Sequence, residues 1–189
     1  MREQLVEAAL AAAVASGLDA VSIRVVCSAV GVQAPTLYHY FGDRAGLVRA
    51  VVDRAFEVYF AGKGALELAV STPESQVAAG WDTHVAFARA YPNLYPAMYP
   101  TSGPRSPNLE RSAALLSAGF DRLADDGALM PGITAQLASS VLSAALRGVA
   151  HAVAAAPDSP HNEQISVTVR DAVIASLITS HAKAHNTHD

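Results

Sequence analysis

Apolar residues recur at helical spacing along most of the chain. Leu5, Ala9 and Ala13 lie on one face of the first segment until Gly17 ends the pattern, which predicts a helix over residues 2–16. No segment shows the alternation of apolar and polar residues that is typical of a half-buried strand, and no internal repeat stands out. The pattern therefore predicts an all-α protein.

Two short helices separated by a tight turn are predicted next. Ser22 is a suitable N-cap for the first of them, and Gly31 ends it because glycine tolerates the left-handed conformation of a turn. Pro35 fits only in the first turn of a helix, so the following helix is expected over residues 34–40. With the first helix, this order matches the helix-turn-helix plan.

Proline and glycine divide the remaining sequence into about six further helices. Asp43 is a plausible N-cap for the fourth helix, and Thr72 opens the fifth. The expected ranges are residues 44–70, 73–90, 93–98, 108–126, 133–156 and 162–183. The chain is thus predicted to hold a three-helix head over residues 1–45 and a helical bundle over residues 46–189.

The composition fits a helical protein that buries much of each helix. Hydrophobic residues make up 51% of the 189 residues, and Cys27 is the only cysteine, which rules out an intramolecular disulfide and a zinc site with several thiolates. The N-terminus lacks the apolar stretch of a signal peptide, and the segment at residues 133–156 contains Arg147 and His151, as a buried helix does more often than a membrane span. We therefore expect a cytoplasmic protein with no membrane partner.

Charge gives no general indication of nucleic-acid binding. The formal net charge is −4, and within residues 1–50 four arginines are balanced by four acidic residues. Since phosphate contacts usually need a basic surface, evidence for DNA binding must come from the local arrangement of side chains.

One set of residues near the N-terminus has a specific arrangement. It consists of Ser22-Ile23-Arg24, Cys27, Gly31-Val32, Thr36-Leu37-Tyr38-His39-Tyr40-Phe41 and Leu47. In type, order and spacing, these residues resemble the N-terminal domain of the TetR family of transcriptional regulators. The resemblance implies an all-helical homodimer whose heads bind successive major grooves of a palindromic operator. The remaining helices would form a ligand-responsive dimerisation core.

The recognition helix and its surroundings provide the candidate DNA contacts. Leu37 and Phe41 are expected to pack against Val26 and Val30, which leaves the polar side chains on other faces. Hydroxyl, imidazole, guanidinium and helix N-terminal N–H groups suit phosphate oxygens, and Gln33 can form two hydrogen bonds with a base edge. The candidates are Ser22, Arg24, Gln33, Ala34, Pro35, Thr36, Tyr38, His39, Tyr40 and Arg44.

Simpler interpretations of the same residues remain open. Tyr38 and Tyr40 could pack within the head while His39 is merely exposed. Cys27 is interpreted as a small core residue at a helix crossing, with a redox role as the alternative.

A second aromatic segment lies in the predicted bundle. The sequence WDTHVAFARAYPNLYPAMY, residues 81–99, resembles the ligand-binding domain of one subgroup of the family. Its large aromatic residues, a methionine and an isolated histidine suit a mostly apolar pocket with a few polar groups, although an ordinary aromatic core is the alternative. The ligand-binding candidates are Trp81, His84, Phe87, Tyr91, Tyr95, Met98, Tyr99, Leu116, Phe120 and Arg147.

Helices eight and nine are expected to form the homodimer interface. Ala145, Gly148 and Ala152 form a stripe of small residues that permits close helix approach, and helix nine adds apolar residues. Arg147 shares a face with Ser140, Ala144 and His151. It could form a salt bridge at the interface or surface, or it could bind an anionic ligand.

The sequence thus predicts a ligand-responsive regulator, most simply a repressor that a small apolar or aromatic effector releases from operator DNA. It contains no phosphate-binding glycine loop, HExxH pair or nucleophile elbow, so we expect neither an enzyme nor a cofactor. His181, His185 and His188 could chelate a metal, but a frayed tail is the simpler interpretation and no metal is predicted. The alternative function is an all-helical small-molecule-binding or protein-interaction module without DNA binding.

Overall fold

A computed structural model of the chain describes residues 1–64, 72–101 and 106–179. It confirms the all-α prediction, since regular structure in these ranges is helical apart from one isolated β-bridge. The helices are α1 (Arg2–Ser16), α2 (Ile23–Val30), α3 (Ala34–Phe41), α4 (Arg44–Gly64), α5 (Pro73–Ala90), α6 (Tyr95–Met98), α7 (Pro107–Asp125), α8 (Ala135–Ala155) and α9 (Asn162–Leu177), with a short 3-10 turn at Leu18–Ala20.

Local capping interactions begin or end several of these helices where the sequence predicts. The Ser22 hydroxyl accepts a hydrogen bond from the backbone N–H of Val25 at 3.2 Å, and the Thr72 hydroxyl accepts one from Ser75 at 3.3 Å. Gly31 has φ 74° and ψ 32°, the left-handed conformation expected for the turn between α2 and α3. The helix-turn-helix head therefore follows from signals within a few residues of each turn.

The C-terminal end of α9 differs from the prediction. The expected end near residue 183 is wrong, because the helix stops at Leu177 and Ile178 is extended. Ile178 forms an antiparallel bridge with Leu129, and the backbone N–H of Thr179 donates to the Ala128 carbonyl at 2.9 Å. Pairing with a distant segment ends the helix at this point, an effect that local periodicity does not reveal. The predicted continuation of helix four to residue 70 and the three tail histidines lie outside the described residues.

Two clusters of buried side chains stabilise the molecule. The first joins the head to α4, α6 and parts of α5 and α8, and it includes Val26, Cys27 and Leu37, with Val30 and Phe41 packed against it. These positions confirm the predicted docking of the recognition helix and the core location of Cys27. The second cluster lies among α5, α7, α8 and α9. The head and the part of the bundle formed by α4, α5, α6 and α8 thus share one apolar cluster, to which α4 contributes Val51, Phe56 and Tyr59.

Helix α8 lies at the centre of the bundle. It packs against α5, α6, α7 and α9, and it buries seven residues. By length and composition it is the one described helix that could cross a membrane. Its contacts with four other helices are those of a core helix.

Candidate DNA-binding surface and effector cavity

The outer surface of α3 carries polar side chains above an apolar inner face. Leu37 is fully buried, whereas Tyr38 and Tyr40 are 47% and 40% exposed. His39 is also exposed, and its ring contacts the Tyr40 ring edge-on with centroids 5.2 Å apart. Gln33 is exposed at the N-cap position and its side chain makes no capping hydrogen bond. The two tyrosines are therefore not packed inside the head, and the amide of Gln33 is available to a partner.

The remaining DNA candidates differ in how much of each is accessible. Arg24 and Pro35 are exposed, while Ala34 and Thr36 are half-buried. Ser22, the N-cap of α2, is also half-buried.

The Arg44 side chain forms hydrogen bonds with backbone carbonyls within the head. Its Nε donates to the Val21 carbonyl at 2.8 Å, and one Nη donates to the Leu18 carbonyl at 2.7 Å. Asp19 lies 4.0 Å from the same guanidinium. Arg44 thus fastens the start of α4 to the segment before α2, and only part of its guanidinium faces outward.

A cavity of about 90 Å³ lies where α4, α5, α7 and α8 meet. Four of the ten predicted ligand-binding residues line it: His84, Tyr99, Leu116 and Arg147. The six lining residues that sequence reasoning missed are Tyr59, Leu109, Ser112, Ala113, Ser143 and Leu146. Most of these are small or aliphatic residues of α7 and α8, and only the aromatic run at Phe56, Tyr59 and Phe60 in α4 could have indicated the cavity from the sequence.

Hydrogen bonds join the aromatic side chains beside the cavity. Buried His84 lies between two phenol groups, with its Nδ1 2.8 Å from the Tyr59 hydroxyl and its Nε2 2.7 Å from the Tyr95 hydroxyl. The Tyr99 hydroxyl lies 3.3 Å from the Ser112 hydroxyl. His151 donates from Nε2 to the Tyr99 carbonyl at 2.8 Å. A neutral imidazole has one donor and one acceptor nitrogen, so the directions of the two His84 hydrogen bonds are linked.

The tyrosines of this network are neutral hydrogen-bonding groups. Burial is the main cause that raises the pKa of Tyr59, Tyr95 and Tyr99, because the low-dielectric surroundings disfavour a phenolate. Each phenol therefore keeps its proton at neutral pH and can donate to an acceptor.

The other predicted ligand-binding residues lie away from this cavity. Trp81 and Phe120 are buried in the second core cluster, and the Trp81 indole N–H donates to the Ser166 hydroxyl at 2.9 Å. Phe87 and Tyr91 line a smaller cavity of about 40 Å³ between the core and the head. Tyr95 and Met98 are fully buried, and Tyr95 reaches the cavity wall only through His84 and Tyr99.

The predicted dimer helices leave an uncharged surface exposed. On α8 the exposed face differs from the predicted grouping, because Ser140 and Ala144 are exposed while Arg147 and His151 turn toward the interior and are half-buried. On each helix one stripe of exposed residues at helical spacing carries no charge, and it consists of Leu137, Ser140, Ala144, Gly148 and Ala152 of α8 and Ile165, Thr168, Ala172 and Ala175 of α9. We call these nine residues the α8–α9 face. Glu163 and Asp171 of α9 are exposed outside this face.

The sequence of the head matches a known family. Residues 5–51 match the sequence model described as bacterial regulatory proteins, tetR family. No curated protein sequence matches the chain significantly.

Solved structures with the same fold cover almost the whole chain. A protein from work on the control of antibiotic production by bacterial hormones has 20% identity and a TM-score of 0.75, over 94% of this chain and 97% of that one. The transcriptional regulator FadR from Bacillus subtilis, solved with stearoyl-CoA, has 12% identity and a TM-score of 0.75, over 93% and 99%. NalD, the secondary repressor of a multidrug efflux pump in Pseudomonas aeruginosa, has 16% identity and a TM-score of 0.61, over 95% and 98%. At these identities the likeness shows the fold.

The molecule combines a helix-turn-helix head, the fold that places a recognition helix in the major groove of DNA, with a helical core that contains a small cavity. Over residues 5–51 the head thus has the sequence pattern of the tetR family of bacterial regulatory proteins, and the chain as a whole has the fold of the solved structures described above.

Proposed function

We propose that this regulator is a repressor that binds a palindromic operator as a homodimer and leaves it when a small, mostly apolar effector fills the cavity. The main support is that the helix joined to the recognition helix, α4, also supplies Tyr59 to the cavity wall. In this proposal residues 1–45 are the DNA-binding domain and residues 46–189 are the effector-binding and dimerisation domain, acting in the bacterial cytoplasm.

The chemistry of the exposed side chains supports DNA contact by α3. Tyr38, Tyr40 and His39 can donate to phosphate oxygens, and Gln33 can pair with the edge of one base. Arg24 and Arg2 each add an exposed guanidinium, and that of Arg44 is partly accessible. Because acidic residues offset these few cations, we expect the paired heads of a dimer to supply much of the affinity.

The α8–α9 face supports association with a second copy. It carries no charge, and its small residues allow two helices to approach closely. An exposed, uncharged face with aliphatic residues of this kind is typical of an interaction surface. A two-fold axis through it would give a four-helix contact and a symmetric pair of heads.

The size of the cavity supports a coupling between effector and DNA. Its volume of about 90 Å³ is well below the range of roughly 300–1,000 Å³ that is usual for ligand sites, so an effector of ordinary size must displace the walls. Tyr59 is one of those walls, and α4 also packs along α1 in the head. Effector binding would therefore favour conformations in which the two heads no longer fit successive major grooves.

The proposal can be tested by selecting bound duplexes from a random-sequence library with the purified protein. We expect enrichment of a two-fold symmetric sequence with half-site centres about one helical turn apart, and binding that weakens with salt. A Gln33→Ala/Tyr38→Ala variant is the control, because both side chains are exposed and their loss leaves the core intact. A folded wild-type dimer that enriches no sequence would contradict the proposal. That result would favour the alternative of a helical binding module without DNA binding, which the balanced charge of the head allows.

A further inference from the structure

The effector cavity contains an arginine without an acidic partner among the described residues. Arg147 lies half-buried on α8, and its Nε donates to the Ser143 carbonyl at 3.3 Å. Within residues 1–64, 72–101 and 106–179, its terminal nitrogens have no hydrogen-bond acceptor and no carboxylate at salt-bridge distance. A partly buried cation without a counter-ion is costly unless a ligand supplies the negative charge.

The polar groups that line the cavity together with Arg147 carry no negative charge. Besides Arg147, the cavity wall contains the hydroxyls of Ser112, Ser143, Tyr59 and Tyr99 and the imidazole of His84, and it contains no carboxylate. Burial raises the pKa of Tyr59 and Tyr99, so both phenols keep their protons at neutral pH. One cation and several hydroxyl donors together form a site for an oxyanion.

The rest of the cavity wall is apolar and leaves little space. Leu109, Ala113, Leu116 and Leu146 form this part of the wall. A doubly charged phosphate would leave one negative charge without a partner beside these side chains, which is unfavourable. A carboxylate carries a single charge, and its two oxygens match the two terminal N–H groups of a guanidinium.

We propose that the effector is a small monocarboxylic acid with a compact apolar body, held by Arg147 through its carboxylate. The hydroxyls of Ser112 and Tyr99 would donate to the same group, and the leucines of α7 and α8 would enclose the apolar part. This inference rests on the proposed function, since it names the chemical class of that effector.

Direct binding to the full-length protein tests the inference without DNA. Isothermal titration calorimetry would compare benzoate with benzamide and hexanoate with hexanamide, which have nearly the same shape but differ in charge. We expect each acid to bind at least about tenfold more tightly than its amide, as a charge-assisted contact implies. In Arg147→Gln this preference should disappear. Arg122→Gln is the matched control, because Arg122 is exposed on α7 and does not line the cavity.

The outcomes separate this inference from the proposed function. Equal binding of acids and amides by the wild-type protein would overturn the inference, and so would a preference that survives in a folded Arg147→Gln protein. Neither result affects operator selection, which is measured without effector. Conversely, the wild-type protein could bind the acids through Arg147 and yet select no operator. That result would support the anion site and contradict the proposed repressor function.

Discussion

At the scale of single residues, the side chains that pack α3 against the head differ from those that are available to DNA. Leu37 is fully buried and attaches the helix to the head, while the neighbouring Tyr38 is about half exposed. Gln33 precedes the helix with its amide uncommitted. These placements give the two polar residues different expected roles, one toward phosphate and one toward a base.

Substitutions at these two positions should therefore have different effects. Gln33→Ala should relax selectivity at one base pair of each half-site by about 1–3 kcal/mol, whereas Tyr38→Phe should weaken binding to all sequences evenly. Fluorescence anisotropy with the selected operator and single-base variants would measure both. Equal losses on every duplex for Gln33→Ala would show that Gln33 reads no base.

Gly46 is a position where the structure requires glycine for lack of space. A Cβ at Gly46, in the first turn of α4, would overlap the carbonyl oxygen of Phe41 at the end of α3. Gly46→Ala should thus lower the free energy of unfolding by about 1–3 kcal/mol, as overpacking does.

Urea denaturation would measure the effect of Gly46→Ala. Gly119→Ala in α7 is the control, because a Cβ there meets no atom of the described residues within 4 Å. That change should leave stability equal or raise it by up to about 1 kcal/mol through helix propensity. Equal effects at the two glycines would contradict the close approach of α3 and α4.

At the scale of elements, α5 divides its aromatic residues between two neighbours. Trp81 faces α9 and donates to Ser166 at 2.9 Å, and adjacent Asp82 accepts two hydrogen bonds from Arg170 of α9 at 2.7 and 2.8 Å. His84 faces α4 and the cavity. The contacts of Trp81 and Asp82 with α9 stabilise the bundle, whereas His84 is part of the cavity wall.

Trp81→Phe should consequently affect stability and spare ligand binding. It removes the indole donor to the buried Ser166 hydroxyl, which should cost about 1–3 kcal/mol in the free energy of unfolding. Benzoate affinity should stay within about twofold of the wild-type value, since Trp81 does not line the cavity. Chemical denaturation and calorimetry would measure the two quantities. A large loss of benzoate affinity in a folded Trp81→Phe protein would place Trp81 in the site after all.

Sequence patterns predict the helices well because their starts and turns are local. Ser22, Thr72 and Gly31 act on groups within five residues, so the chain near each position contains the needed information. The end of α9 depends instead on pairing between Ile178 and Leu129, which are far apart in sequence.

The cavity is harder to predict for a geometric reason. The stripe from Trp81 to Tyr91 extends about 15 Å along α5, so its two ends cannot both line so small a space. The stripe instead contributes to the core, the main cavity and the smaller one. Ser112 and Ser143 enter the wall only because α7 and α8 turn those faces inward, which follows from packing and not from periodicity. Arg147 lines the cavity for the same reason, because helix packing turns its side of α8 inward.

At the scale of the whole molecule, the proposed function depends on a second copy. Gly148 is central in the α8–α9 face, and a Cβ there meets no atom within 4 Å among the described residues. Gly148→Glu should therefore leave the monomer folded but bury an unpaired charge between the two copies. We expect the dimer dissociation constant to rise by at least about tenfold.

Sedimentation equilibrium would measure this change. Ala86→Glu adds the same charge at an exposed position of α5, outside the α8–α9 face, and should remain dimeric. If Gly148→Glu has the dissociation constant of the wild-type dimer, the interface lies elsewhere on the molecule.

The central claim is that an effector in the cavity releases the heads from DNA through α4. The most direct measurement is operator affinity by fluorescence anisotropy with and without a saturating carboxylate, either benzoate or hexanoate, whichever binds more tightly. For the wild-type protein we predict an apparent operator Kd at least about fivefold higher with the acid, as for ordinary allosteric coupling, and no change for Arg147→Gln. An operator Kd that stays the same, or falls, when the wild-type cavity is saturated would contradict the account.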